Sequence, residues 1–95
     1  MDKKKTAQMC CELAAKELGT TYVADKHNRT AVLCRKIAAY VVMRLWPLTT
    51  MQELAECFGF SRTYAVKILQ PASDFEQVIV DGYVNNVHKQ IKELS

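Results

Sequence analysis

Glycine and proline are scarce, with three Gly and two Pro in 95 residues. So few chain breakers leave no interdomain linker and no low-complexity tract, and no internal repeat is present. No apolar run approaches the roughly 20 residues needed to cross a bilayer. No charged, apolar and small-residue leader opens the chain, so neither a membrane span nor a secretory signal is expected. The four cysteines, Cys10, Cys11, Cys34 and Cys57, never stand at CxxC or CxxH spacing, and His27 and His88 are isolated. That arrangement argues against a zinc site and for buried, reduced thiols in a cytoplasmic protein. There is no Ser/His/Asp or Cys/His constellation, and Glu53 with Glu56 suits the start of a helix better than acid–base chemistry. Catalysis, a metal, a cofactor and a small-molecule substrate are therefore not expected.

What is present is apolar content and a lopsided charge. Hydrophobic residues make up 49% of the chain, enough for one small domain with a modest core. The net charge of +3 is unevenly spread. Residues 1–25 balance, and residues 68–95 are acidic. Residues 26–67 hold Lys26, Arg29, Arg35, Lys36, Arg44, Arg62 and Lys67 against only Glu53 and Glu56. An excess confined to one stretch is the electrostatic footprint of a phosphate-binding face. Lys3, Lys4 and Lys5 read as a flexible, solvated tail.

The basic stretch ends in a helix-turn-helix pattern over residues 50–69. Thr50 and Glu53 have capping-box spacing. Leu54, Ala55 and Phe58 recur at helical spacing up to Gly59, which can take the positive φ of a sharp stop. Phe60 supplies an apolar plug. Ser61 can cap a second helix whose inner side is Ala65, Ile68 and Leu69. Its other side offers Arg62, Thr63, Tyr64 and Lys67, all able to meet phosphates or base edges.

Around this pair the spacing predicts an all-α fold of five or six helices in a single domain. A first helix over about Lys5–Leu18 buries Met9, Leu13, Ala14 and Leu18 and stops at Gly19. A polar connection over 20–29 follows, with room for one helical turn at Tyr22–Asp25. Thr30 then caps a long helix to Trp46, which buries Leu33, Cys34, Ile37, Ala38, Val41 and Leu45 and turns Arg35, Lys36 and Arg44 elsewhere. Pro47 ends it, and Trp46 and Leu48 are expected against the helix pair. Gln70 and Pro71 mark another stop. Ser73 and Glu76 open a last helix to about Glu93 that buries Phe75, Val78, Ile79, Val87, Ile91 and Leu94. Asp81-Gly82 leaves a short hairpin as the competitor there.

The order of elements, with RKIAAYVVMRLWPLTTMQELAECFG as its best run, resembles the C-terminal DNA-binding domain of the bacterial replication initiator DnaA from about Met9 to Leu94. Arg35, Ile37 and Ala38 match that family's arginine–x–isoleucine–alanine run. Glu53, Leu54, Phe58 and Gly59 match its Glu–Ile step and Phe-Gly end. The resemblance implies a bacterial, stand-alone double-stranded DNA binder acting in replication or transcription, with Arg29 on the basic loop that enters a minor groove. Such an arm also suits a narrow, negative groove on physical grounds. After Phe-Gly the family reads Gly-Arg-Asp-His-Thr-Thr-Val, whereas Phe60, Ser61, Arg62, Thr63, Tyr64, Ala65 and Val66 stand here and only Val66 is retained. No GxxxxGK[ST] phosphate loop is present.

The expected site is therefore Arg29, Arg35, Lys36, Ser61, Arg62, Thr63, Tyr64 and Lys67. Arg62 would make a bidentate guanine contact, Ser61 and Thr63 would bind phosphate at the helix start, and Lys67 would meet phosphate a turn on. Tyr64 serves equally as a sugar contact or as half-buried packing. The alternative is a protein-interaction module that keeps the fold and has lost DNA binding. The missing signature, the acidic last helix, and Tyr40, Met43 and Tyr83, which read as exposed, favour it. A homodimer is compatible with both.

Overall fold

The computed structural model describes residues 2–24, 26–70 and 73–94. They form five helices: α1 (Lys3–Glu17), α2 (Arg29–Leu45), α3 (Met51–Phe58), α4 (Arg62–Leu69) and α5 (Asp74–Leu94). The all-α expectation holds. Asp25, Pro71 and Ala72 fall outside the described residues, and with them the full test of a turn at Tyr22–Asp25 and of the Pro71 stop.

Local side chains set most helix ends. The Asp2 carboxylate accepts from the Lys5 amide and starts α1 two residues before the expected point. Lys3 is helical and its ammonium lies 2.8 Å from Glu53 Oε2, so the lysine triplet is not a loose tail. Asn28, not Thr30, caps α2 through its Oδ1 and the Ala31 amide. The α3 cap is the reciprocal Thr50–Glu53 box. Gly59 stops α3 at φ +73°, with the Phe60 amide donating back to the Ala55 carbonyl. A residue with a Cβ is strained at that φ, which is why glycine serves there. Ser61 caps α4 through the Tyr64 amide.

Two groups of buried side chains hold the helices. One joins α1, α2 and α5 around Cys10, Cys11, Ala14, Cys34, Ile37, Ala38, Val41, Val80, Val84 and Val87. The other seats α3 and α4 on Ala7, Ala39 and Val42 through Leu54, Ala55, Cys57, Ala65 and Ile68. The buried face of α1 is Thr6, Ala7, Cys10, Cys11, Ala14 and Ala15, and Met9, Leu13 and Leu18 flank it half-buried. Small side chains let two helix axes approach closely, so they take the seam and the larger ones close its edges.

Helix α5 runs unbroken through Gly82, so no hairpin forms there. Its inward residues are Val80, Val84, Val87 and Ile91. One continuous helix has one phase, and the seating of Val87 and Ile91 turns earlier apolar positions outward. Phe75 is therefore 78% and Val78 71% exposed, and Ile79 is exposed too, contrary to their expected burial; Leu94, in phase with Ile91 but the last residue of the helix, is also exposed. Leu48 is exposed as well, while Trp46 packs against the α3–α4 group. Tyr40, Met43 and Tyr83 are half-buried, and the Tyr40 hydroxyl donates to the Leu69 carbonyl. No helix among the described residues is long and apolar enough to cross a membrane.

Candidate nucleic-acid interface

Helix α4 is seated by Ala65 and Ile68, both buried, with Leu69 half-buried. The opposite side is left to Arg62, Thr63, Val66, Lys67 and Gln70, which line one open, shallow concavity. Arg62, Thr63 and Lys67 are all exposed. Among the described residues neither Arg62 nor Lys67 is held by an ion pair. Glu56, a turn before Gly59, is instead reached by Gln52 Nε2 at 3.4 Å.

The ends of α4 are tied down. Ser61 Oγ accepts from the Tyr64 amide at 3.2 Å, which leaves the Arg62 and Thr63 amides among the first-turn donors of the helix. At the other end Lys36 Nζ donates to the Gln70 carbonyl at 2.8 Å. An ammonium there complements the negative helix end. It also has further protons to give, since a lysine carries three donors.

Arg35 is the correction. The expectation set it on the outside of α2 among phosphate-binding cations. The structure buries it completely, at 0% exposure. Its Nε donates to the Tyr22 hydroxyl at 2.9 Å and one Nη to the Tyr64 hydroxyl at 3.1 Å. The other Nη donates to the Ala24 carbonyl at 2.7 Å and to the Lys26 carbonyl. The guanidinium carbon lies 4.8 Å from the Phe60 ring centroid and 5.5 Å from that of Tyr22. Burial works against the charge, but the bonds to Tyr22 and Tyr64 outweigh it and hold its pKa above the ordinary arginine value. A buried charge survives only when its protons are satisfied, and here oxygens and ring faces satisfy them. Arg35 cannot reach a phosphate from this position.

Tyr64 is consequently the half-buried packing residue of the two roles open to it, with its ring 4.5 Å from Phe60. Two residues that the sequence did not single out join it. The His27 ring stands 5.6 Å from Phe60 and 6.2 Å from Tyr64, beside the first turn of α4. Tyr22 supplies the hydroxyl that holds Arg35 Nε. Arg29, expected on the loop, is instead the exposed first residue of α2, two residues after His27, because Asn28 and not Thr30 caps that helix. The 20–28 loop, with Lys26 and His27 exposed, is thus brought against the start of α4. A histidine and a tyrosine in a polar loop carry no spacing signal, since their partners lie on α2 and α4.

The four cysteines are buried and free. Burial pushes the Cys10 and Cys11 thiols up to about 12, so they are poor nucleophiles and poor metal ligands at neutral pH. Among the described residues no three His, Cys, Asp or Glu side chains gather as a metal set.

No family model matches the chain, and no curated protein or solved structure does either.

Proposed function

We propose that this protein binds double-stranded DNA, with the Arg62–Lys67 face of α4 in the major groove and the 20–28 loop with Arg29 on the neighbouring backbone or minor groove. The observation that carries the proposal is the pair of cations Arg62 and Lys67, without an ion-pair partner among the described residues and exposed on one side of a capped helix whose other side is core. In that pose Ser61 and Thr63 meet phosphate at the positive end of the helix. Arg62 reaches a guanine edge, and Lys67 and Lys36 meet backbone phosphates farther along. The likeness to the DnaA C-terminal domain belongs to this proposal. It supports a small replication or transcription accessory with its own site preference, because Arg62, Thr63, Tyr64 and Ala65 replace the aspartate, histidine and paired threonines with which that family reads its site.

A second reading has an observation of its own. Phe75 and Val78 lie exposed on one face of α5, flanked by Asp74, Glu76 and Asp81, which suits a protein partner better than a polyanion.

Fluorescence anisotropy on mixed-sequence duplexes over a salt series separates the two. Binding that weakens linearly on a log–log salt plot supports the DNA reading. Lys67→Ala should then lower the slope by about one, and Arg62→Ala should relax sequence preference. No binding to any duplex at low salt rejects it and leaves the protein-partner reading.

A further inference from the structure

We infer that Arg35 is a positioning residue: it latches the 20–28 loop to α4, so that the loop's Lys26 and the outer face of α4 meet a duplex as one rigid unit. This rests on the duplex-binding reading and adds to it a residue that touches no nucleic acid.

One side chain on α2 joins two other segments. Tyr22, Ala24 and Lys26 belong to the loop, and Tyr64 belongs to α4. All of the guanidinium bonds to described residues cross between segments, and none is made within α2. The planar fork sets the angles as well as the distances, which an ammonium on the same stem does not reproduce. The loop needs such a tether. It has no helix among its described residues, and Val23, the one aliphatic side chain in it larger than alanine, is exposed. Its start is held to α1 by the Thr20 amide on the Ala15 carbonyl, and His27 rests on Phe60 and Tyr64. Between those points Arg35 holds Tyr22, Ala24 and Lys26, and the one local backbone bond among the described residues is the Lys26 amide on the Val23 carbonyl. A site that needed only filling would be served by an apolar side chain without the cost of burying a charge. Directed bonds to both segments fix their relative placement instead.

The consequence is a coupling. If the latch sets where the loop lies, the Lys26 side chain, exposed on the loop, contributes to binding only while the latch is intact, whereas Arg29 is held by α2 itself. Tyr22→Phe removes one acceptor of Arg35 without altering any proposed DNA contact. The test is a double-mutant cycle on duplex affinity at one low salt concentration, comparing the unaltered protein, Tyr22→Phe, Lys26→Ala, which leaves the carbonyl that Arg35 holds in place, and the double variant. Lys26→Ala alone should weaken binding several-fold, about threefold to tenfold, and lower the salt slope by about one. Tyr22→Phe alone should weaken it comparably, and the double variant no further than Tyr22→Phe alone. Lys67→Ala serves as the control: its seat on α4 does not depend on the loop, so its loss should multiply with that of Tyr22→Phe.

Circular dichroism on each variant checks folding. Should Tyr22→Phe fail to fold, Arg35→Lys takes its place in the cycle, keeping the charge while losing the fork. Independent, multiplying losses for Tyr22 and Lys26 overturn the latch, as does an unchanged affinity in Tyr22→Phe or in Lys26→Ala. In each of those cases the unaltered protein still binds duplex, so the functional reading stands. If the unaltered protein binds no duplex, that reading falls and the latch's role in binding falls with it.

Discussion

Helix α4 and the first turns of α5 both hold apolar side chains out to solvent, yet they are opposites in charge. On α4, Val66 is 42% exposed and sits between Arg62 and Lys67 with no carboxylate on the helix. On residues 73–81, Phe75 and Val78 are more exposed still, and the charges are Asp74, Glu76 and Asp81 with no cation. Exposed apolar area therefore does not distinguish the two faces. The sign of the surrounding charge does, because a phosphate lattice attracts one face and repels the other. What lies behind the faces differs as well. The start of α4 is backed by a serine cap, a Phe60 ring tilted against Tyr64 and the Arg35 bond to the Tyr64 hydroxyl, whereas the Glu76 amide reaches Ser73 Oγ only at 3.4 Å.

Charge reversal on each face should break the symmetry most strongly. Arg62→Glu places a repulsive charge where an attractive one stood, and duplex affinity at low salt should fall on the order of a hundredfold. Asp81→Lys on α5 should leave affinity within about threefold or tighten it slightly. Equal losses from both would mean that the two faces are not distinguished by a duplex.

A glycine in each region gives a smaller, cleaner contrast. At neither Gly59 nor Gly82 would an added Cβ meet an atom within 4 Å, so only backbone conformation separates them. Gly59 stands at φ +73°, and Gly59→Ala should cost about 1–2 kcal/mol in urea unfolding. Gly82 is helical and exposed, and Gly82→Ala should stabilise by up to about 1 kcal/mol. A neutral Gly59→Ala would mean that the turn between α3 and α4 does not need its left-handed residue.

The smallest effect is a pH slope from the far end of α5. Burial, followed by Lys92 and Arg44, depresses the His88 pKa below its ordinary value of 6.5. The folded chain then binds fewer protons than the unfolded one between the two pKa values. The contribution of His88 to stability is whole above the unfolded value and is lost as pH falls through the lower folded one. His88→Gln should flatten that part of the stability–pH profile, and an unchanged profile would put the slope elsewhere.

How much of this could be read in the chain depended on distance along it. Thr50 with Glu53, Gly59 and Ser61 announce their roles because cap, stop and partner amide lie within three or four residues. The exposed face of α4 followed once Ala65 and Ile68 were placed inside. Arg35 could not be read, since its acceptors lie from nine to twenty-nine positions away and an arginine on an amphipathic helix is ordinarily outside. In α5 two apolar stripes compete. The run Val80, Val84, Val87, Ile91 keeps one helical phase throughout, which is the signal that could have demoted Phe75, Val78 and Ile79.

The most direct measurement is an amide-resolved NMR titration of the labelled chain with a short mixed-sequence duplex. Shifts should concentrate at Ser61–Lys67 and at Lys26–Arg29, with residues 74–81 of α5 unmoved. Shifts centred on Phe75 and Val78, or none at α4 under low salt, would contradict a duplex-binding role for that face.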